Sequence, residues 1–328
     1  MILVTVADDR YMRGGGRYGE TQNKIAEIFG KRPEFGIEHH PYTWDDILKT
    51  DFYQQNKTLL DHTDPAMNGR AYKPYVIFEE LRKIAMGDFL VYNDCTPRIW
   101  EFVDDLGNFD PKVIRDLCAG NKDFINLFIN WDFADRRGGE SGSTTHRNYT
   151  LNRCMDKMGL RFYEDTYQGG SGMICIRKTD TTMILVQEWL SWNCIDECCA
   201  LGWAHLPDDY SFWLQEANHF LPFGSPGFKA GHRHDQSIIG LLLSRTNHRL
   251  LHPVLIGNMN QANFLQSCRP GIRYKFQDTN PKIIVGNRVE NKQGMAMKVS
   301  RIDGEVYYTR EKSGALHEYP RQELRLLK

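Results

Sequence analysis

The first apolar run, Ile2 to Ala7, is short and rich in β-branched residues, the pattern of a parallel strand covered on both faces. A glycine-rich loop, Gly14-Gly-Gly-Arg-Tyr-Gly19, follows it, and an amphipathic helical pattern runs from Gln22 to Phe29. The chain therefore begins as strand, loop, helix. From Tyr75 to Met86 apolar residues return at helical spacing (Val76, Ile77, Leu81, Ile84, Ala85), opened by Lys73-Pro74 with proline in the first turn and ended by Gly87. Phe89 to Tyr92 then reads as a short buried strand that runs into the polar turn Asn93-Asp94-Cys95-Thr96-Pro97. In α/β sheets that position, outside a strand's carboxyl end, is where ligands bind. Ile125 to Asn130 and Met173 to Arg177 continue the strands, and Thr182 to Asn193 and Asp235 to Leu243 the helices. The alternation predicts an α/β domain, with no internal repeat.

Near Arg269-Pro270 the pattern changes. Ile283 to Val289, Ala296 to Ile302 and Glu305 to Tyr308 are short alternating runs separated by Gly286, Asp303-Gly304 and Gly314. This predicts a second unit, residues 269–328, similar to a small all-β SH3-like barrel, after a first domain of residues 1–268. From Arg269 onward there are 13 Lys or Arg against 7 Asp or Glu, although the whole chain has a formal net charge of -1. The basic tail is read either as a solvated face or as a docking surface for an acidic partner or polysaccharide.

A chain of 328 residues with 41% hydrophobic and 25% charged content has enough apolar mass for one large core and one small one. Its near-neutral charge supplies no global field for nucleic acid. No basic, apolar leader pattern opens it and no stretch nears the ~18 apolar residues of a membrane span, so a cytoplasmic location is expected. The eight cysteines lack paired C-x-x-C spacing, which suits free thiols. Cys194, Cys198 and Cys199 are expected on one side of a buried helix, with a zinc site as the alternative.

Asp94, directly after a buried strand, suits a divalent cation, although an aspartate in a turn is also a common turn former. Lys73, at the start of the preceding helix, suits a phosphate, or is simply solvent-exposed. The densest polar segment is Gly231-His-Arg-His-Asp-Gln-Ser237, immediately before an apolar helix. Asp235 is well placed to cap that helix, but capping does not call for His232, Arg233, His234 and Gln236 beside it. A two-metal hydrolase is the competing reading, and it needs more carboxylates or histidines at matching spacing than the chain offers.

The series Asn68-Gly-Arg-Ala-Tyr-Lys-Pro74, Gly87 to Asp94, Tyr149-Thr150, Gln168 to Ile174 with Glu188-Trp189, and His232 to Ser237 resembles, in order and interval, a group of GT-A glycosyltransferases from bacteria and large viruses. More distantly the plan is similar to glycogenin and the lipopolysaccharide galactosyltransferases. The resemblance covers roughly residues 1 to 260. It implies a Rossmann-like nucleotide-diphospho-sugar transferase domain that moves a sugar from a UDP- or GDP-sugar to a glycan, glycoprotein or other hydroxyl acceptor, with retention of configuration. It implies Asp235 and Gln236 at the anomeric centre. It puts Val4, Thr5, Ala7 and Asp8 at the nucleotide, Lys73 at the diphosphate, and Gln168, Gly170 and Ser171 under the donor sugar. His232, Arg233 and His234 would lie at the donor, Asp94 would bind Mn²⁺ or Mg²⁺ or the donor ribose, and His232 or His234 would complete the metal site or bind phosphate. Where the family has a second carboxylate or Ala-Gly after Asp94, this chain has Cys95-Thr96, which leaves metal use open and admits a degenerate domain that binds nucleotide sugar or glycan without turnover.

Overall fold

The computed structural model describes residues 1–10, 12–13, 16–61, 70–95, 124–128, 145–166, 168–195, 198, 232, 234–246, 249–252, 275–278, 287–303, 306–320 and 323–327. In chain order the strands are β1 (Ile2–Ala7), β2 (Met12–Arg13), β3 (Gly16–Arg17), β4 (Glu38–Thr43), β5 (Phe89–Asp94), β6 (Phe124–Phe128), β7 (Gly169–Arg177), β8 (Arg249–His252) and β9 (Lys275–Asp278). A second group follows, β10 (Arg288–Asn291), β11 (Ala296–Asp303), β12 (Val306–Arg310), β13 (Leu316–Pro320) and β14 (Leu324–Leu326). The chain is mixed α/β with a separate antiparallel sheet at its C-terminal end.

The large sheet has the order β4-β1-β5-β7-β6-β8-β9. β1 lies parallel to β4 and to β5, while β7 runs antiparallel to β5 and to β6. All six residues of β1 are buried, as its apolar β-branched sequence requires of a central strand. After β1 the chain enters the sheet at β4 on one side and then at β5 on the other. The carboxyl ends of β1 and β5 therefore flank a reversal of strand order, where open α/β sheets have a crevice.

Three helices bring side chains to that crevice. Tyr72–Lys83 buries Tyr72, Val76, Ile77, Glu80 and Leu81, a stripe that recurs about every four residues, and packs against β1, β5 and the Asp180–Asn193 helix. Asp180–Asn193 starts at Thr179, whose hydroxyl accepts from the Thr182 amide, and buries Leu185, Val186 and Trp189. Asp235–Arg245 is buried along nearly its whole length and packs on β7 and the Asp180–Asn193 helix. Gly240 lets it also approach the short His146–Tyr149 helix closely: a Cβ there would lie 2.6 Å from Cε1 of His146.

The helices extend beyond the sequence reading at their amino ends, to Tyr18, Tyr72 and Asp180. Asp180–Asn193 stops at Asn193, so Cys194 and Cys198 do not share a side of that helix. Cys194 sits at the helix end, Cys198 is buried beyond it, and Cys199 is outside the described residues. The described cysteines Cys95, Cys154, Cys175, Cys194 and Cys198 are free thiols. β4 has no counterpart in the sequence reading. β9 moves the boundary between the sheets: it pairs with β8, Arg249 opposite Asp278, so the large sheet draws its last strand from beyond residue 268 and the second sheet begins at Arg288.

That second sheet has the order β13-β12-β11-β10-β14 and a small core of Val289, Met297, Val299 and Leu324. An ion network ties it to the large unit. Arg325 bonds Glu290 within the sheet and reaches Glu164 at 3.1 Å, and Glu164 also accepts from Arg147 at 2.7 Å.

Candidate functional site

Four residues from separate elements converge at the carboxyl end of β5. Lys73, from the first turn of its helix, is buried with its ammonium 3.0 Å from Asp94 and 2.8 Å from Asp235. Its remaining donor capacity goes to Ser171, near the amino end of antiparallel β7, at 3.3 Å to both the carbonyl and the hydroxyl oxygen. The Ser171 hydroxyl donates to Asp235 at 2.6 Å, and the Tyr92 hydroxyl to Asp94 at 2.9 Å. The Tyr92 ring faces the ammonium at 5.3 Å, and burial, followed by the Asp94 charge, pushes its phenol well above the usual range. With one ammonium between two carboxylates at low exposure, these interactions are far stronger than on a wet surface.

A second polar layer lies behind this cluster. The Gln236 amide donates to Gln168 at 2.8 Å, and Gln168 donates to Ser237 at 3.1 Å and to Thr150 at 3.3 Å. Thr150 in turn meets Nδ1 of His146 at 2.9 Å. Trp189, fully buried, donates its indole N–H to the Asp235 carbonyl at 2.9 Å and so fixes the backbone where the last helix starts. Gln168, Ser171 and Asp235 are buried, whereas Arg70, Asp94, His234 and Gln236 keep partial exposure and form the accessible edge.

Arg70 and His234 are the two described non-glycine residues with positive φ, 52° and 46°. Each stands just before a helix that delivers a site residue, Lys73 or Asp235. Such conformations cost of order 1–3 kcal/mol and persist where the surroundings enforce them, most often at functional sites. Burial disfavours the Arg70 charge, but the fields of Tyr72, Asp235, Asp94 and Tyr18 outweigh it and hold the guanidinium above its already high range. Arg70 stands in the series that carries the resemblance but has no role in the sequence reading. Its signal is a backbone conformation, which residue identity does not reveal.

Lys73, Asp94, Gln168, Ser171, Asp235 and Gln236 come together, and the Gly170 backbone adjoins them on β7. Val4 and Thr5 do not reach the crevice. The Val4 side chain is in the core, and the Thr5 hydroxyl bonds His39 at 2.8 Å and Gln22 at 3.0 Å. Ala7 and Asp8 do lie at the strand end, where Arg10 clamps the Asp8 carboxylate through two nitrogens, at 2.8 and 2.7 Å, and covers the Trp44 ring at 3.2 Å. Asp235 is the first residue of its helix rather than the cap. His234 is the cap, with no side-chain capping bond to the helix, and the Asp235 carboxylate turns to Lys73 and Ser171. Asn68, Thr96 and Arg233 lie outside the described residues.

Among the described residues, the donor set does not fit the divalent metal implied by the resemblance. His232 is buried, its Nδ1 accepting from the Leu151 amide at 3.3 Å and its Nε2 donating to the Cys198 carbonyl at 2.9 Å, so both ring nitrogens serve the backbone. It is a structural histidine rather than a ligand. The described residues contain no group of three His, Cys, Asp or Glu able to hold a metal ion. Among them, too, no helix is long and apolar enough to cross a membrane.

Fold and site together define a mixed α/β protein with a charged crevice at a switch in strand order. Comparison with protein-family models, curated proteins and solved structures gives no match.

Proposed function

We propose that the protein is a glycosyltransferase that uses a nucleoside-diphosphate sugar, with the crevice beyond β1 and β5 as its donor site. One observation carries the reading. Lys73, Asp94, Ser171 and Asp235, far apart in sequence, meet at contacts of 2.6–3.4 Å at the end of the sheet where α/β proteins bind ligands. The site has the mixture that this chemistry asks for. Carboxylates accept from sugar hydroxyls, cations offset the charge gathering on a departing diphosphate, and an amide faces the reacting carbon. Asp94 and Asp235 take the first part, Arg70 and Lys73 the second, and Gln236 the third. The resemblance to the GT-A group supports the same assignment and adds retention of configuration, a UDP or GDP donor and a glycan or other hydroxyl acceptor. The basic C-terminal sheet would meet an acidic partner.

The test uses the full chain and a panel of nucleoside-diphosphate sugars. A donor that binds only the folded state raises the melting temperature, and one present at 100 times its Kd adds about 2.7 kcal/mol. A shift with one donor class, together with slow hydrolysis of that donor, is expected. No shift with any donor at saturation overturns the proposal, and a shift without turnover leaves a binding module.

A further inference from the structure

We infer that Lys73 is the built-in cation of the crevice, in the position where a divalent ion would otherwise bridge Asp94 and Asp235, and that the site binds its ligand without a metal. The donor part of this inference rests on the glycosyltransferase reading; the cation part does not.

A hard divalent ion seeks about six oxygen ligands and draws them from carboxylates first. The two buried or half-buried carboxylates of the crevice are already spanned by one ammonium, 3.0 Å from Asp94 and 2.8 Å from Asp235. All around it, the contacts are those of a filled site. Ser171 contributes two oxygens at 3.3 Å, Tyr92 directs its hydroxyl to Asp94 and its ring face to the ammonium, and Ser171 closes the loop onto Asp235 at 2.6 Å. A metal entering between the carboxylates has to expel Lys73, whose side chain is 1% exposed. Arg70, at the edge of the crevice, adds a second positive charge in the field of the same two aspartates, so a further divalent ion would meet repulsion as well as occupied ligands. The sequence agrees in one respect: Cys95 and Thr96 follow Asp94, where a metal-binding turn would offer a second carboxylate.

The experiment titrates Mn²⁺ into the free full-length protein and follows the free-ion signal by electron paramagnetic resonance. Wild type is expected to leave the signal undiminished. Lys73→Ala vacates the bridged position, and its Mn²⁺ affinity is expected to rise by at least about tenfold once a unit charge ~3 Å from both carboxylates is gone. Adding Asp94→Asn to Lys73→Ala should abolish that gain. If Lys73→Ala does not fold, Lys73→Met keeps the packing volume and takes its place. Stoichiometric Mn²⁺ binding by wild type that Asp94→Asn removes overturns the inference, and so does a folded Lys73 variant with no gain. The donor arm repeats the melting experiment in EDTA. A donor shift that survives EDTA supports both proposals, and a shift that requires Mn²⁺ overturns this one while leaving the glycosyltransferase reading intact. No donor shift at all, with the Mn²⁺ gain in Lys73→Ala, overturns that reading and leaves the cation assignment standing.

Discussion

His39 and His40 are neighbours on edge strand β4, yet their surroundings drive them in opposite directions. His39 faces Thr5 and is lowered from 6.5 to about 4, by burial first and then by the His40 charge. His40 also feels burial, but its bonds to Glu80 and Glu38 outweigh it and raise its pKa. The linkage signs follow. Between about 4 and 6.5 the unfolded chain binds a proton at residue 39 that the folded one refuses, so this contribution to stability falls as pH drops through that window. At His40 the folded state holds its proton more tightly, so that contribution is present below 6.5 and is lost as pH rises through the folded value. Ring-proton NMR should show two titrations on either side of 6.5, and His39→Gln should flatten the acid limb of the urea-denaturation profile. Two coincident midpoints near 6.5 would contradict the burial of His39.

Asp235 gives the sharpest functional test at the same scale. As a plain helix cap it would tolerate Asn almost freely. The carboxylate instead joins Lys73 and Ser171, and removing one partner of a buried ion pair costs about 3 kcal/mol or more. Asp235→Asn should therefore lower the melting temperature as well as donor turnover, the latter by roughly ten- to a thousandfold if the carboxylate acts in the transition state. A variant with unchanged stability would mean that Lys73 does not depend on this partner.

Among the elements, the Asp235–Arg245 helix is the least tolerant. A Cβ at Gly240 would lie 2.6 Å from His146 Cε1 and 3.3 Å from Gln168 Cγ, and the His146 ring is buried and tied to Thr150. Gly240→Ala gains helix propensity, but the overpacking should outweigh it, for a net loss of about 1–3 kcal/mol. Thermal melts decide the sign. On the second sheet, exposed Lys298 stands directly opposite Arg288 on one side and Arg310 on the other. Like charges so placed destabilise a sheet, so Lys298→Glu should gain about 0.5–1 kcal/mol at low salt and less at high salt. Loss of stability would show that the row is compensated by other groups.

The elements also show what a sequence reveals. β1, β5 and the helices that feed the site carry apolar periodicity because both faces or one long stripe must be covered, and that requirement is written in residue types. β4 reads Glu-His-His-Pro-Tyr-Thr, with a proline and mostly half-exposed or exposed side chains, because an edge strand has little apolar surface to bury. Lys73, Asp94 and Asp235 were legible as candidates from their places at element ends. Their junction around one ammonium was not, since it depends on the register of β7 and the tilt of a helix. His232 looked like a ligand for the opposite reason: a histidine in a polar run gives no sign that its ring turns inward to the backbone.

At the scale of the whole molecule, the composition shift at Arg269 marks a change of character but not the edge of the large sheet. β9 belongs to that sheet, and it covers β8, which would otherwise present an open row of backbone donors and acceptors. A fragment of residues 1–268 lacks β9; one of residues 1–286 keeps it. The shorter fragment should aggregate or melt lower, whereas the longer one should stay monomeric and folded. Losing the second sheet also removes Arg325 from Glu164, but Arg147 still holds that carboxylate and the pair is partly solvated, so about 1 kcal/mol or less goes with it. Size-exclusion chromatography and thermal melting of both fragments beside the full chain decide the matter. Two fragments that are equally folded and monomeric would show that β9 contributes nothing to the large sheet, and failure of both would make the second sheet, through contacts such as Arg325 to Glu164, an obligatory part of the fold rather than a separable unit.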